Sequence, residues 1–325
     1  MKLVSPAPHL HGNNSTTKIM RDVVIALLPA LGFSVYRYGL NALYITAISI
    51  VSCMIFEWTI NKYLLKKANT LTDYSAALTG LLLAFNLPPN LPTGIVILGA
   101  LVAIGLGKMS YGGLGRNLFN PALVGRVFLL ISFPVQMTAF PASATDATSG
   151  ATPLSFIKEA VGKGLNLNEV LPTDMLQNVL LGFKDGSLGE MSGILLILGG
   201  IYLVVRKVIT WHIPVAILGT MGVFTAILWL IDPTIYMNPL LHIFTGGALL
   251  GAIFMATDYV TSPMNPKSQI IYAVGIGVIT VLIRVWGAYP EGISFAILIM
   301  NAAVPLINNA VKPKRYGEKL ALKKK

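Results

Sequence analysis

HIPVAILGTMGVFTAILWLI, residues 212–231, contains no lysine, arginine, aspartate or glutamate in twenty positions. A helix needs about 20 apolar residues to cross the hydrocarbon core of a bilayer. Trp211 and Trp229 sit near its ends, where interfacial aromatics belong. Working outward, similar runs lie at 192–206 before it and at 239–257, 268–287 and 291–308 after it. Five more, at 22–36, 39–60, 73–87, 93–107 and 121–136, fill the first part of the chain. Of the 325 residues, 54% are hydrophobic and 11% charged, whereas soluble domains carry roughly 25% charge. Mean hydropathy is +0.71. The expected class is an all-α polytopic membrane protein of about ten transmembrane segments embedded in a lipid bilayer.

Charge sets the expected direction. The net charge of +11 does not point to nucleic acid, because the cations are distributed by membrane side rather than gathered on one face. Ten crossings place both termini together. Eighteen of the 24 lysines and arginines fall on that side, Lys108 and the run from Lys312 to Lys325 among them. Arg37, Lys158, Lys163, Lys184 and Arg284 fall on the other, and Arg126 lies inside a segment. The positive-inside rule then puts both termini in the cytoplasm and residues 137–191 outside. No cleavable signal peptide is read at the N-terminus. The single Cys53, in an apolar run, excludes a disulfide framework and reads as a small buried hydrophobe.

Five segments on each side of 137–191 give two halves of opposite orientation, the plan of many transport folds. Leu78-Thr79-Gly80 is echoed by Phe244-Thr245-Gly246, and Asn120-Pro121-Ala122 faintly by Asn301-Ala302. Pro29 is expected to interrupt the first segment, Pro88-Pro89 to end the third and Gly246-Gly247 to soften the eighth; Pro305 sits late in the tenth. Helices broken at membrane depth persist only where protein or a polar cavity covers the freed backbone groups.

Within 137–191 stands Asp146-Ala147-Thr148-Ser149-Gly150-Ala151-Thr152, small and polar, by composition a flexible solvent-facing loop. Its Ser149-Gly150-Ala151-Thr152 ending also resembles the acceptor sequence on which bacterial flavin transferases esterify FMN, through its phosphate, to the final threonine. Asp146 stands where that pattern has its acidic residue; Ala147 replaces the usual glycine. Other blocks extend the likeness: Ser5 to Leu10, Gly112-Gly113-Leu114-Gly115-Arg116-Asn117, Gly186-Ser187-Leu188-Gly189-Glu190, Gly199-Gly200 through Arg206-Lys207 to Trp211, and Met255-Ala256-Thr257-Asp258. Over essentially its whole length the chain resembles the RnfD/NqrB family. The longer N-terminal extension of the NqrB branch is missing, which favours the RnfD side.

That resemblance implies a fold like the urea transporters, put to work as an electron carrier of an ion-translocating ferredoxin:NAD oxidoreductase in the bacterial cytoplasmic (inner) membrane. It implies covalent FMN on Thr152, a second non-covalent flavin, riboflavin, and Na+ or H+ as the translocated ion. The implied partners are the other Rnf subunits, including a second covalent-FMN subunit and iron–sulfur subunits, and the flavin transferase. The chain itself has no run of cysteines for an iron–sulfur cluster and no dinucleotide-binding glycine motif after a strand. Its redox chemistry must then belong to bound flavin. The expected organisation is a cytoplasmic tail 1–21, a first membrane repeat 22–136, the extracytoplasmic flavin loop 137–191, a second repeat 192–311 and a basic cytoplasmic tail 312–325.

Candidate residues each have a plainer alternative. Asn117 and Asn120, three apart, project from one face if the fifth helix begins that early. They read either as binders of the polar edge of riboflavin or, for Asn120 before Pro121, as a helix cap. Asp258 ends the eighth segment and either faces Asn117 or is simply solvated. Arg126, just over one turn into the fifth helix, is costly to bury unless paired or functional. Glu57 and Asp73 are its candidate partners, and holding a flavin's polar atoms is its candidate function. His9-x-His11 is too few ligands for a metal, and no catalytic residue or metal set is assigned. A small-solute channel of urea-transporter type is the competing function, and a purely structural anchor the third.

Overall fold

The computed structural model describes residues 15–66, 70–143, 146–150, 152–165, 167, 175–182 and 186–312. His9, His11, Ala151, Lys184 and the basic tail beyond Lys312 lie outside them. Each of the ten apolar runs is helical. In the first half these are α1 Thr16–Tyr38, α2 Leu40–Thr59, α3 Ser75–Phe85, α4 Thr93–Gly105 and α5 Pro121–Ser132, followed by a short α6, Pro134–Thr138. Two further helices, α7 Pro153–Gly162 and α8 Met175–Leu181, lie in the 137–191 segment. The second half holds α9 Gly193–Val205, α10 His212–Ile231, α11 Pro239–Phe244, α12 Ala248–Leu250 with a π turn over Gly251–Met255, α13 Pro266–Trp286 and α14 Ile293–Ala310. Among the described residues six helical stretches are long and apolar enough to cross a membrane: Thr16–Tyr38, Leu40–Leu65, Thr93–Tyr111, His212–Ile231, Pro266–Trp286 and Ile293–Ala310. The chain is a multi-pass membrane protein.

Helix starts follow a repeated local rule. Asn120-Pro121, Asn238-Pro239 and Asn265-Pro266 each put an asparagine at the cap and a proline at the first helical position. The side-chain oxygen accepts the first free backbone N–H groups, and proline has none to waste there. The interruption expected at Pro29 does not occur: α1 runs unbroken through it. Neighbouring helices hold the backbone around the lost hydrogen bond, with Ala26, Leu27 and Ala30 all buried there. The eighth run is fully broken. Gly246 and Gly247 both take positive φ, at 63° and 65°, between α11 and α12, a conformation glycine adopts without a Cβ penalty. The third ends at Asn86, and its eleven residues rise only about 16 Å.

Contacts between the halves join like to like. First helix meets first helix, α1 against α9, and last meets last, α5 against α14. At the former crossing a Cβ on Gly199 would come 2.5 Å from the Ala26 carbonyl oxygen, so only glycine permits that approach. Within each half the second helix packs on the fourth and the fourth on the fifth: α2 on α4 on α5, α10 on α13 on α14.

The 137–191 segment is not the open polar loop its composition suggests. Strand β1, Phe140–Ser143, pairs antiparallel with β2, Asp146–Gly150, setting Phe140 opposite Gly150 and Ser143 opposite Asp146. This hairpin is the only sheet among the described residues, and α7 and α8 follow it. Leu154, Ile157, Ala160 and Val179 bury themselves against Met237 and Leu241, making a second small core. That core turns the segment into a packed cover over one end of the bundle.

Candidate functional site

Thr152 stands where the hairpin gives way to α7. It is buried, 4% exposed, which corrects the expectation of a solvent-facing residue. The cause is local: Thr152 caps α7 ahead of Pro153, its Oγ1 accepting the Ser155 N–H at 3.2 Å and sharing a 2.8 Å hydrogen bond with the Ser155 hydroxyl. Asp146, Ser149 and Gly150 lie in β2, with Pro141 paired to Ser149. Thr152 and Ser155 border a cavity of about 20 Å³ whose other walls include Asn86, Arg126, Tyr289 and Glu291. Two residues named from sequence for separate reasons, Thr152 and Arg126, therefore line one small space.

Arg126 is 4% exposed and does not pair with Glu57 or Asp73. Its Nη2 donates to Glu291, and its Nη1 to Asn86 Oδ1 and Ser294 Oγ, each at 2.7 Å. Asn86 in turn donates to the Leu82 carbonyl at 2.6 Å and so seals the end of α3. Glu57 is taken by Lys108 at 2.6 Å, both fully buried, while Asp73 accepts from Ser75 N–H and Oγ. Lys108 thus belongs to the interior rather than to the cytoplasmic surface charge. Arg284 is likewise no loop cation: it donates to the carbonyls of His242 at 2.5 Å, Thr245 at 2.9 Å and Gly246 at 3.0 Å, capping the end of α11. At Gly247 a Cβ would lie 3.2 Å from Glu190 Oε1 and 3.6 Å from Arg126 Nη1. A side chain at this position would crowd both a buried carboxylate and a buried guanidinium.

A second site lies beside the start of α1. Asn117, Asn120 and Asp258 line one cleft with Met20, Ser75 and Lys108. Asn117 and Asn120 share no helical face, because α5 starts at Pro121 and leaves Asn117 in the preceding loop. Asn120 is both cap and tie: Oδ1 accepts from Ala122 N–H at 3.1 Å, and Nδ2 donates to the Met255 carbonyl at 3.1 Å. Asn117 is 6% exposed, donates to the Phe119 carbonyl at 3.2 Å, and leaves its Oδ1 buried without a partner. Burial raises the Asp258 carboxyl above its usual range, opposed by a hydrogen bond from Thr261. An orphaned buried amide oxygen normally marks a missing partner. The cleft's two lobes hold about 50 and 60 Å³, room for water but not for a flavin ring. Met20, in the second turn of α1, is one of the walls that closes the cleft to this size.

The two asparagines separate in their expected behaviour. Asn120→Leu removes a helix cap and a tie to the π turn, and lowers stability by about 1–2 kcal/mol. Asn117→Leu removes an unsatisfied oxygen and leaves thermal stability near wild type, while reducing any non-covalent flavin. Thermal unfolding and released-flavin assays on the purified complex check both. Equal loss of stability in the two variants contradicts this assignment.

The D subunit of the proton-translocating ferredoxin:NAD(+) oxidoreductase complex of Clostridium ljungdahlii is 43% identical over 97% of this chain and 96% of its own. Its counterpart in the Na(+)-translocating ferredoxin:NAD(+) oxidoreductase complex of Acetobacterium woodii is 44% identical over 97% of this chain and 95% of its own. The corresponding protein of the ion-translocating oxidoreductase complex of Stutzerimonas stutzeri is 39% identical over 94% and 93%. All three names are those of oxidoreductase subunits, which leaves the solute-channel alternative without support. Residues 3–317 match one family throughout, and the chain belongs to the NQR2, RnfD, RnfE family.

Proposed function

We propose that this chain is the membrane electron-carrier subunit of an ion-translocating ferredoxin:NAD oxidoreductase, carrying FMN as a phosphoester on Thr152. The observation that carries it is the family membership together with the setting of Thr152. Its Oγ1 lies at the N-terminus of the ten-residue α7, and Thr152 shares the walls of one small space with Arg126. A phosphoester there meets the free N–H groups and positive dipole end of the helix, the natural seat for an anionic phosphate. Because the hydroxyl is buried, attachment by a flavin transferase requires residues ahead of Pro153 to lift from the bundle or to be modified before they dock. Bound flavin supplies the electron chemistry that the side chains lack. Thr152 fixes its phosphate end, Arg126 faces that charge, and the α7–α8 cover excludes water.

Ten crossings in two inverted five-helix repeats, with a urea-transporter-like fold, fit the pairing of first with first and last with last helices. The short α3 and the broken α11–α12 then meet as facing half-spans. In this scheme both termini are cytoplasmic and Thr152 is extracytoplasmic, following the lysine and arginine asymmetry. Asn117, Asn120 and Asp258 would hold the polar edge of riboflavin on the cytoplasmic side once the start of α1 stands away from the cleft. The other Rnf subunits, among them a second covalent-FMN subunit and iron–sulfur subunits, supply and remove the electrons. Identity is nearly equal to a relative named for protons and to one named for sodium, 43% and 44%. Overall identity therefore does not choose between the two ions.

Two measurements test the scheme. In the purified complex, reduced ferredoxin should bleach the flavin identified by difference from a Thr152→Val complex, and NAD should restore it. A flavin there that stays oxidised removes the electron-carrier role. A cysteine placed in the 137–191 segment should react with an impermeant thiol reagent on intact spheroplasts, and one at 313–325 should not. The opposite pattern inverts the topology.

A further inference from the structure

Alongside α7 lies a second space, about 380 Å³ in volume, against 20 Å³ at Thr152 itself. Cavities of roughly 300–1,000 Å³ are those that take organic ligands. Leu154, Ile157, Tyr236 and Trp286 give it apolar and aromatic walls, and Lys158, His242 and Arg284 are its charged or titratable lining; among the described residues no carboxylate borders it. His242 is 6% exposed and its Nδ1 has no hydrogen-bond partner. Arg284, 5% exposed, spends its terminal nitrogens on the α11 carbonyls and leaves Nε unpartnered. Both nitrogens are closed off from solvent, so what the cavity offers an occupant is its size, its apolar and aromatic walls and the positive charge of Lys158 and Arg284 beside it.

We infer that this cavity seats the isoalloxazine ring of the flavin carried on Thr152, an assignment that rests on the covalent-flavin reading above. Pro290 borders both this cavity and the space at Thr152, so phosphate end and ring end occupy adjoining compartments. Leu154 and Ile157 lie two and five residues beyond Thr152, within the first two turns of α7, and form the near wall. The apolar and aromatic walls would hold the ring, and the cations of Lys158 and Arg284 would stand near its pyrimidine edge. That edge gains negative charge on reduction, so the positive field of Lys158 and Arg284 favours the reduced form and raises the reduction potential. Lys158, whose ammonium is held by the carbonyls of Arg284, Gly287 and Tyr289, acts as a positioning and electrostatic residue.

Gly162 ends α7 on the cavity wall, and a Cβ there meets nothing within 4 Å. Gly162 is exposed, so Gly162→Phe places an aromatic ring at the cavity rim without displacing backbone, and Lys158→Gln removes one charge. Both variants are prepared as the full complex, with covalent load checked by fluorescence on a denaturing gel. The flavin of this subunit is isolated by difference from the Thr152→Val complex. Lys158→Gln should shift its midpoint potential to more negative values. Gly162→Phe should raise its emission and its quenching by iodide severalfold, as the ring leaves Tyr236 and Trp286. Wild-type potential and wild-type quenching in both variants, at equal covalent load, overturn the assignment. A wild-type subunit without covalent flavin instead overturns the proposed function, and the gel alone reads that outcome.

Discussion

Thr152→Val abolishes covalent flavin on this subunit and brings ferredoxin-to-NAD electron transfer down to background, because the β-branched shape stays and the only hydroxyl at the acceptor position goes. The effect on folding is small but not zero. Thr152 caps α7 through its Oγ1, and loss of such a cap costs about 1 kcal/mol. Thr152→Ser keeps the hydroxyl and the cap, and should retain both flavin and electron transfer in part. Thr148→Val, in β2, should retain both in full. In-gel fluorescence and ferredoxin-dependent NAD reduction check all three. A fluorescent Thr152→Val subunit would move the attachment site elsewhere.

The largest structural effect is expected at Arg126. Arg126→Met leaves Glu291 with its ion pair broken and deprives Asn86 Oδ1 and Ser294 Oγ of a donor. Removing one partner of a buried ion pair costs at most about 3–5 kcal/mol, and Glu291 is the more exposed end of this one, 12% of its side chain against 5%. The variant should accumulate poorly and unfold well below wild type in a thermal scan. Arg126→Lys should recover little, because an ammonium cannot reproduce the planar fork that reaches three acceptors. Arg126→Met combined with Glu291→Gln should recover part of the loss. If the double variant is as unstable as the single one, Glu291 is not the partner that matters.

Most of the helical layout was legible in the chain because a membrane segment announces itself by uninterrupted apolar length. Runs such as 212–231 need no tertiary context to be helical. Gly246-Gly247 also announced its break, since paired glycines remove the Cβ penalty for positive φ. Pro29 misled because a proline's cost depends on what surrounds the helix, and that is set by packing with α9. The Arg126–Glu291 pair joins residues 165 apart in sequence, and nothing local selects one acid over another at such a distance. Lys108 and Arg284 were counted as loop charges because each sits at the end of a run; only the folded bundle shows them inside it. The burial of Thr152 had a signal that composition masked. Thr152-Pro153 is a cap followed by a first-turn proline, the same helix-start pattern as Asn120-Pro121, and it marks α7 within a segment that otherwise reads as loop.

Covalent flavin on Thr152 is read most directly from the mass of one peptide. Digestion of the wild-type protein and tandem mass spectrometry of the fragment spanning 146–152 should show a mass increase of one FMN less one water. The fragmentation series should place it on Thr152. An unmodified peptide from active complex, or the same increment on Thr148 or Ser149, would contradict the account.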